Sequence, residues 1–235
     1  MSRPQRFREV SGFVLAGGAS RRMGTDKASL AFGGERLVDR QVRLLRAVCR
    51  SVAIIGPPAR FVRAGTPVYE DEISGKGPLG GIHAGLRRAR TEFSLFLSCD
   101  MPLMETRFLR YLCAQAMATP ALATVPPAWT GARYPLCIVL RGEALARVAS
   151  CLKFGQNQVG RFLSRTPRRA ITKAEFERAG FSTRIFCNLN TPEEYERTRQ
   201  LWVQSPVRNP RASIPRTFNS STFTSLSRIR PCSMM

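Results

Sequence analysis

Ser94-Leu95-Phe96-Leu97-Ser98-Cys99 runs without a charge and stops at Asp100-Met101-Pro102. A short apolar run with no polar alternation suits a strand buried on both faces, and such strands belong to parallel sheets covered by helices above and below. Around it, strand-like and helix-like segments alternate. Gly12–Gly17 reads as a buried strand opening into a glycine-rich loop that extends to Lys27. Arg36–Cys49 places Val38, Val42, Leu45 and Cys49 on one helical face. Ser51–Gly56 reads as a second strand ended by Gly56-Pro57-Pro58, and Pro67–Asp71 as a short third. Leu79–Arg90 reads as a helix introduced by Gly77-Pro78, and Glu105–Met117 as another with a stripe of Phe108, Leu109, Leu112 and Ala116. This alternation predicts an α/β domain with a doubly wound, mostly parallel sheet in a three-layer α/β/α arrangement.

The second half is less regular. Ala121–Val125, Leu136–Leu140 and Arg184–Asn188 read as strands, and Glu143–Leu152 and Pro192–Trp202 as helices. Thr191 is placed to cap the last of these, with Pro192 in its first turn and Glu193-Glu194 at its positive end. From about Pro206 the chain turns to Ser, Thr, Pro, Asn and Arg, with no acidic residue after Glu196. The expectation is one domain over 1–203 and a basic, disordered tail over 204–235.

Composition removes several function classes. No apolar run approaches the roughly 18–20 residues that cross a bilayer, and Met1–Val10 is short, basic and polar, so a soluble cytoplasmic protein is expected. The seven cysteines form no CxxC pair and their number is odd, which speaks for buried thiols over a disulfide framework or a zinc site. With His83 as the single histidine, a metal here must be held by oxygen, as Mg²⁺ is. The net charge of +21 attracts polyanions. The excess is Arg scattered along the chain without a groove-reading motif, so a dedicated nucleic-acid role is not expected.

The four aspartates are Asp26, Asp39, Asp71 and Asp100. Asp100 ends the apolar strand at the carboxyl edge, where open α/β sheets bind ligands. A carboxylate there can hold Mg²⁺ against phosphate oxygens, or it can cap the helix after Pro102. Asp71 ends the third strand at the same edge, as a ligand contact or an ordinary turn aspartate. Leu15-Ala16-Gly17-Gly18-Ala19-Ser20-Arg21-Arg22-Met23-Gly24-Thr25-Asp26-Lys27 leaves a strand with small residues and cations. Gly17 and Gly18 let backbone N–H groups approach an anion, and Arg21, Arg22 and Lys27 add charge, as a triphosphate requires. The spacing fits neither GxxxxGK[ST] nor GxGxxG. Gly77-Pro78-Leu79-Gly80-Gly81 precedes a helix whose first N–H groups can meet an anion or a base edge, or simply start the helix rigidly.

These motifs resemble those of the MobA-like nucleotidyltransferases, and within them the molybdenum cofactor guanylyltransferases. LAGGASRRMGTDK fits their opening motif LAGGxSxRMGxDK, and Glu70-Asp71, Gly77–Ile82, Ser98–Pro102 and Phe186–Pro192 follow in the same order. The resemblance covers roughly Gly12 to Trp202. It implies a Rossmann-like fold of the nucleotide-diphospho-sugar transferase type and transfer of GMP from GTP to the phosphate of Mo-molybdopterin, releasing pyrophosphate. It also implies Mg²⁺ on Asp100, Lys27 and Arg22 against the phosphates, and nucleotide contacts from Leu15, Ala16, Gly17, Gly18, Asp71, Gly77, Pro78 and Leu79. Asn188 and Asn190, read as alternating on a strand end, would face the pterin acceptor. Other cofactor-biosynthesis proteins and molybdoenzyme apoproteins are the implied partners. One position departs: relatives often carry Asn after the second strand, where this chain has Gly56-Pro57-Pro58. Two alternatives stay open. One is a relative transferring CMP, or another nucleotidyl group to a different phosphorylated acceptor; the other is an inactive, basic polyanion-binding protein.

Overall fold

The computed structural model describes residues 6–17, 30–61, 65–71, 73, 76–128 and 134–203. The chain divides into two compact units, Met1–Trp202 and Val203–Met235; the tail expected over 204–235 lies outside the described residues.

In chain order the elements are β1 (Phe7–Leu15), β2 (Ala31–Phe32), β3 (Glu35–Arg36), α1 (Leu37–Arg46), β4 (Cys49–Ile55), β5 (Val68–Tyr69), α2 (Gly77–Arg88), β6 (Phe93–Ser98) and α3 (Thr106–Met117). They continue as β7 (Ala123–Val125), β8 (Cys137–Arg141), α4 (Ala144–Lys153), α5 (Val159–Ser164), β9 (Arg168–Ala170), α6 (Lys173–Arg178) and α7 (Pro192–Val203). The main sheet has the order β5-β4-β1-β6-β8-β7-β9. β1 lies parallel between β4 and β6, and β4 is parallel to β5. β8 reverses against both β6 and β7, and β9 runs parallel to β7. The mostly parallel, doubly wound sheet is as the sequence predicts.

The apolar run that suggested a central strand is β6, with Leu95, Phe96 and Leu97 fully buried. Because side chains alternate across a strand, β1 and β6 feed two cores at once. Val10, Val14, Leu95 and Leu97 pack with α1 and α3 residues such as Val42, Leu45, Phe108 and Leu112. Phe13, Leu15 and Phe96 pack on the other face with Leu79, Ile82, Val148 and Leu152 of α2 and α4. A third, smaller cluster joins Phe32, Leu37 and Leu189, flanked by Leu103, Tyr195 and Trp202.

The strand expected over Arg184–Asn188 is not one. Thr183–Phe186 is a 3-10 turn, capped by the Ser182 hydroxyl, which accepts from Arg184 N. Ile185 and Phe186 mimic a strand in sequence because both are apolar. Ile185 is instead buried in the α1/α3 core, and Phe186 meets Phe108 edge-on and stacks on Phe176. Local pattern did not reveal the β2–β3 hairpin, α5, β9 or α6, all of which are short. Thr191 does cap α7, its hydroxyl accepting from Glu194 N at 3.2 Å. Among the described residues, no helix is long and apolar enough to cross a membrane.

Helix α2 lies unusually close to the sheet. A Cβ on Gly85 would stand 2.5 Å from Phe96 Cε1 and 3.1 Å from Phe13 Cγ, inside a stacked pair of rings. Gly85→Ala should therefore destabilise the fold: overpacking of about 1–3 kcal/mol outweighs the roughly 1 kcal/mol that alanine gains in a helix. Thr172 caps α6 in a reciprocal box with Glu175, and Thr172→Ala should cost about 1 kcal/mol. Urea denaturation of both variants checks these values.

Candidate active site

The carboxyl ends of the four parallel strands are in register. Leu15 pairs with both Ile55 and Ser98, and Ile55 with Tyr69. The ladder continues one residue further: Ala16 N donates to Ile55 O at 2.8 Å, Gly56 N to Tyr69 O at 2.9 Å, and Cys99 N to Leu15 O at 3.2 Å. Gly17, Gly56, Asp71 and Asp100 thus leave one edge of the sheet, each just past its strand. Strands are spaced about 4.8 Å apart, so the β5 end carrying Asp71 and the β6 end carrying Asp100 lie roughly 14 Å apart. Two carboxylates leaving strand ends so far apart are not placed to chelate one small cation.

At the β1–β4 end the backbone is bare. A Cβ on Gly17 would lie 3.8 Å from Gly56 Cα, and one on Gly56 would press on Ala16 C and O at 3.2 Å and on Phe61 Cε2 at 3.0 Å. The Gly56-Pro57-Pro58 departure is thus built into close strand packing: a side chain at 56 would push on the strand end that precedes the glycine loop. Leu15, Ala16 and Leu79 are buried. Gly18, Arg21, Arg22 and Lys27 lie outside the described residues.

Asp71 sits against the start of α2. Its Oδ1 accepts from Ile73 N at 3.0 Å, and a Cβ on Gly80 would stand 2.5 Å from its Oδ2. The first turn of a helix presents unpaired N–H groups and positive potential, which suits a carboxylate there. Gly77 adopts φ +62°, a backbone that favours glycine, and Pro78 fills the first turn. Gly80 and Gly81 divide the labour of the motif. Gly80 makes room for Asp71, while Gly81 lets α2 close on Leu15 and Ile55, whose side chains a Cβ would meet at 3.1 and 3.4 Å. His83, one turn further, is half-buried.

Asp100 is half-buried two residues past β6. It is not the cap of α3, whose N-cap is Glu105; that alternative falls because Met101–Met104 form a turn of their own, with Met104 N donating to Met101 O at 3.2 Å. Asp100 O accepts from Leu189 N at 3.0 Å, which brings the Asn188–Asn190 segment to the same edge. That segment is irregular, so strand alternation does not orient its two amides. Leu189 is buried between an exposed Asn188 and a half-buried Asn190, whose N donates to the Glu194 carboxylate at 2.6 Å.

Helix α1 supports this edge from below through residues that local pattern did not single out. Gln41 Nε2 donates to Met101 O at 2.8 Å and Arg40 Nε to Pro102 O at 2.5 Å. Glu35 bridges Arg40 and Arg43, and those guanidinium groups hold its carboxyl below the usual range. The partners are about 60 positions apart in sequence, which is why only the assembled sheet reveals them.

Comparison with known proteins bears on the family and the fold. The family model described as MobA-like NTP transferase domain matches residues 12–170. A molybdenum cofactor guanylyltransferase of Syntrophotalea carbinolica is 32% identical over 194 residues, covering 81% of this chain and 90% of the relative. A probable molybdenum cofactor guanylyltransferase of Carboxydothermus hydrogenoformans is 28% identical over 189 residues, covering 80% and 94%. Among solved structures, molybdopterin-guanine dinucleotide biosynthesis protein A from Archaeoglobus fulgidus superposes with a TM-score of 0.71 at 19% identity, covering 83% of this chain and all of that one. Most of the described domain lies within the matched span, and the chain belongs to the MobA-like NTP transferase family.

Proposed function

We propose that this chain is a molybdenum cofactor guanylyltransferase that transfers GMP from GTP to the terminal phosphate of Mo-molybdopterin, forming molybdopterin guanine dinucleotide and pyrophosphate, in the cytoplasm. The observation that carries the proposal is the gathering of Gly17, Asp71, the start of α2 and Asp100 on one in-register sheet edge. The names of the relatives support the same activity. Buried thiols at Cys49, Cys113 and Cys137 suit a reducing compartment. The product would pass to molybdoenzyme apoproteins, directly or through other cofactor-biosynthesis proteins.

In this reading the nucleotide lies along the edge from β5 to β6. Asp71 and the backbone of Gly77, Pro78 and Leu79 meet the nucleoside, while the backbone of Leu15, Ala16, Gly17 and Gly18 cradles the phosphates. An acceptor phosphate oxygen attacks the α-phosphorus in line as the bond to the bridging α–β oxygen breaks. Pyrophosphate then leaves with that electron pair. The acceptor oxygen is already anionic near neutral pH, so alignment and charge neutralisation carry the reaction in place of a strong base. Lys27 and Arg22 offset charge on the α-phosphate and the leaving group. Asn188 and Asn190 border the acceptor.

Mg²⁺ fits the donor set. No group of three or more His, Cys, Asp or Glu forms a protein cage among the described residues. Mg²⁺ bound to a triphosphate needs only one or two carboxylates, the rest of its shell being phosphate and water. Asp100 is the carboxylate that would hold it, and the ion, when bound, would supply neutralisation of phosphate charge.

Asp100→Asn and Lys27→Ala should each lower pyrophosphate release by about 10²–10³-fold or more while circular dichroism stays native. Retention of turnover in both would refute the site assignment. With Mg²⁺ and molybdopterin, GTP should be preferred over CTP by at least about tenfold in kcat/KM. A preference for CTP would move the chain to cytidylyl transfer, with the Gly56 departure as the place to look. Tight, salt-dependent polyanion binding without turnover would instead mark an inactive binding protein.

A further inference from the structure

Three consecutive carbonyl groups after the central strand are each held by another part of the chain. Asp100 O accepts from Leu189 N at 3.0 Å, Met101 O from Gln41 at 2.8 Å and Pro102 O from Arg40 at 2.5 Å. Gln41 is fully buried and Arg40 is 7% exposed. A buried guanidinium is a costly group to place: loss of hydration disfavours its charge and lowers its proton affinity. Glu35 at 3.2 Å and the Trp202 ring at 4.4 Å offset that cost. A helix that only had to pack could use apolar residues at both positions, as α1 does at Val38, Val42 and Leu45. The two polar side chains instead converge on the backbone of the segment that begins at Asp100.

We propose that Arg40 and Gln41 are positioning residues for Asp100, fixing the Asp100-Met101-Pro102 backbone so that the carboxylate is held in place before Mg²⁺ and GTP arrive. The inference rests on the reading of Asp100 given under the proposed function. A shift of about 1 Å in the alignment of reacting groups can cost on the order of 100-fold in rate. Base and ribose contacts would come from the β4–β5 side of the edge, which these two side chains do not touch. Their loss should therefore act on kcat and on the metal requirement, and leave nucleotide affinity alone.

The test compares Gln41→Leu, Arg40→Met and Arg40→Lys with Asp100→Asn, using Thr172→Ala, whose side-chain hydrogen bonds are made with Glu175, as a mildly destabilised control. Pyrophosphate release is measured against GTP and against Mg²⁺, and hydrogen–deuterium exchange is followed across Asp100–Met104 in the protein without substrates. Gln41→Leu and Arg40→Met should lower kcat about 10–100-fold with KM for GTP unchanged within about twofold. The half-saturating Mg²⁺ concentration should rise several-fold. Exchange should quicken at Asp100–Met104 and at the Leu189 amide, and not at Phe93–Leu97. Arg40→Lys, which keeps a cationic donor, should recover much of the Arg40→Met loss, and Thr172→Ala should match the wild type in each of these readings. Wild-type kcat and Mg²⁺ requirement in both Gln41→Leu and Arg40→Met, beside an inactive Asp100→Asn, would overturn the positioning role and leave the function standing. Lost turnover with unchanged exchange at Asp100–Met104 would overturn it as well. Full turnover in Asp100→Asn would overturn both readings.

Discussion

The structure depends first on the parallel pairing of β1 with β4 on one side and β6 on the other. Leu15 is in register with both Ile55 and Ser98, and the hydrogen bonds continue through Ala16 and Cys99. That register decides what leaves the sheet at one height. A slip by one residue would turn every side chain of a strand to the opposite face, exchanging the two cores that Phe13 and Val14 now serve separately. The same slip would displace Gly17 from Gly56, or Asp100 from the strand end beside it. Burial of both sheet faces and placement of the site are therefore one constraint.

The glycines of α2 show how packing and chemistry share a motif. Gly81 and Gly85 press the helix onto Leu15, Ile55, Phe13 and Phe96, while Gly80 leaves space for the Asp71 carboxylate. Close approach of the helix brings its first turn, with its outward N–H groups, to the edge where the strands end. A bulkier helix would stand farther from the sheet, and its positive end would no longer share that edge with Gly17.

Much of this was legible in the sequence, for identifiable reasons. β6, α1, α2 and α3 announce themselves through uninterrupted burial or helical spacing, because each packs against a large continuous core. Asp71 and Asp100 could be placed because a strand followed by a carboxylate fixes its own location. The apolar pair Ile185-Phe186 misled because a two-residue signal cannot tell a strand from a turn that inserts into an aromatic cluster. Arg40 and Gln41 lay hidden for a different reason. Polar residues on an amphipathic helix normally face water, and only the assembled fold shows that these two face carbonyls some 60 positions away.

The third cluster ties the end of the domain to its beginning. Tyr195 donates its hydroxyl proton to Ala31 O across 164 positions, and Trp202 lies against Gly33 in the β2–β3 hairpin. The hairpin immediately follows the glycine-rich segment, yet these two anchors lie far along the chain, in α7. At ordinary rates of translation, on the order of 10 s passes between synthesis of the hairpin and arrival of α7. A nascent chain still lacking α7 can therefore pair β1 with β4 and β6 while Phe32 has only Leu30, Leu37 and Leu103 of its cluster to pack on. The β2–β3 hairpin thus waits on α7, the last of the described helices, to complete its aromatic packing.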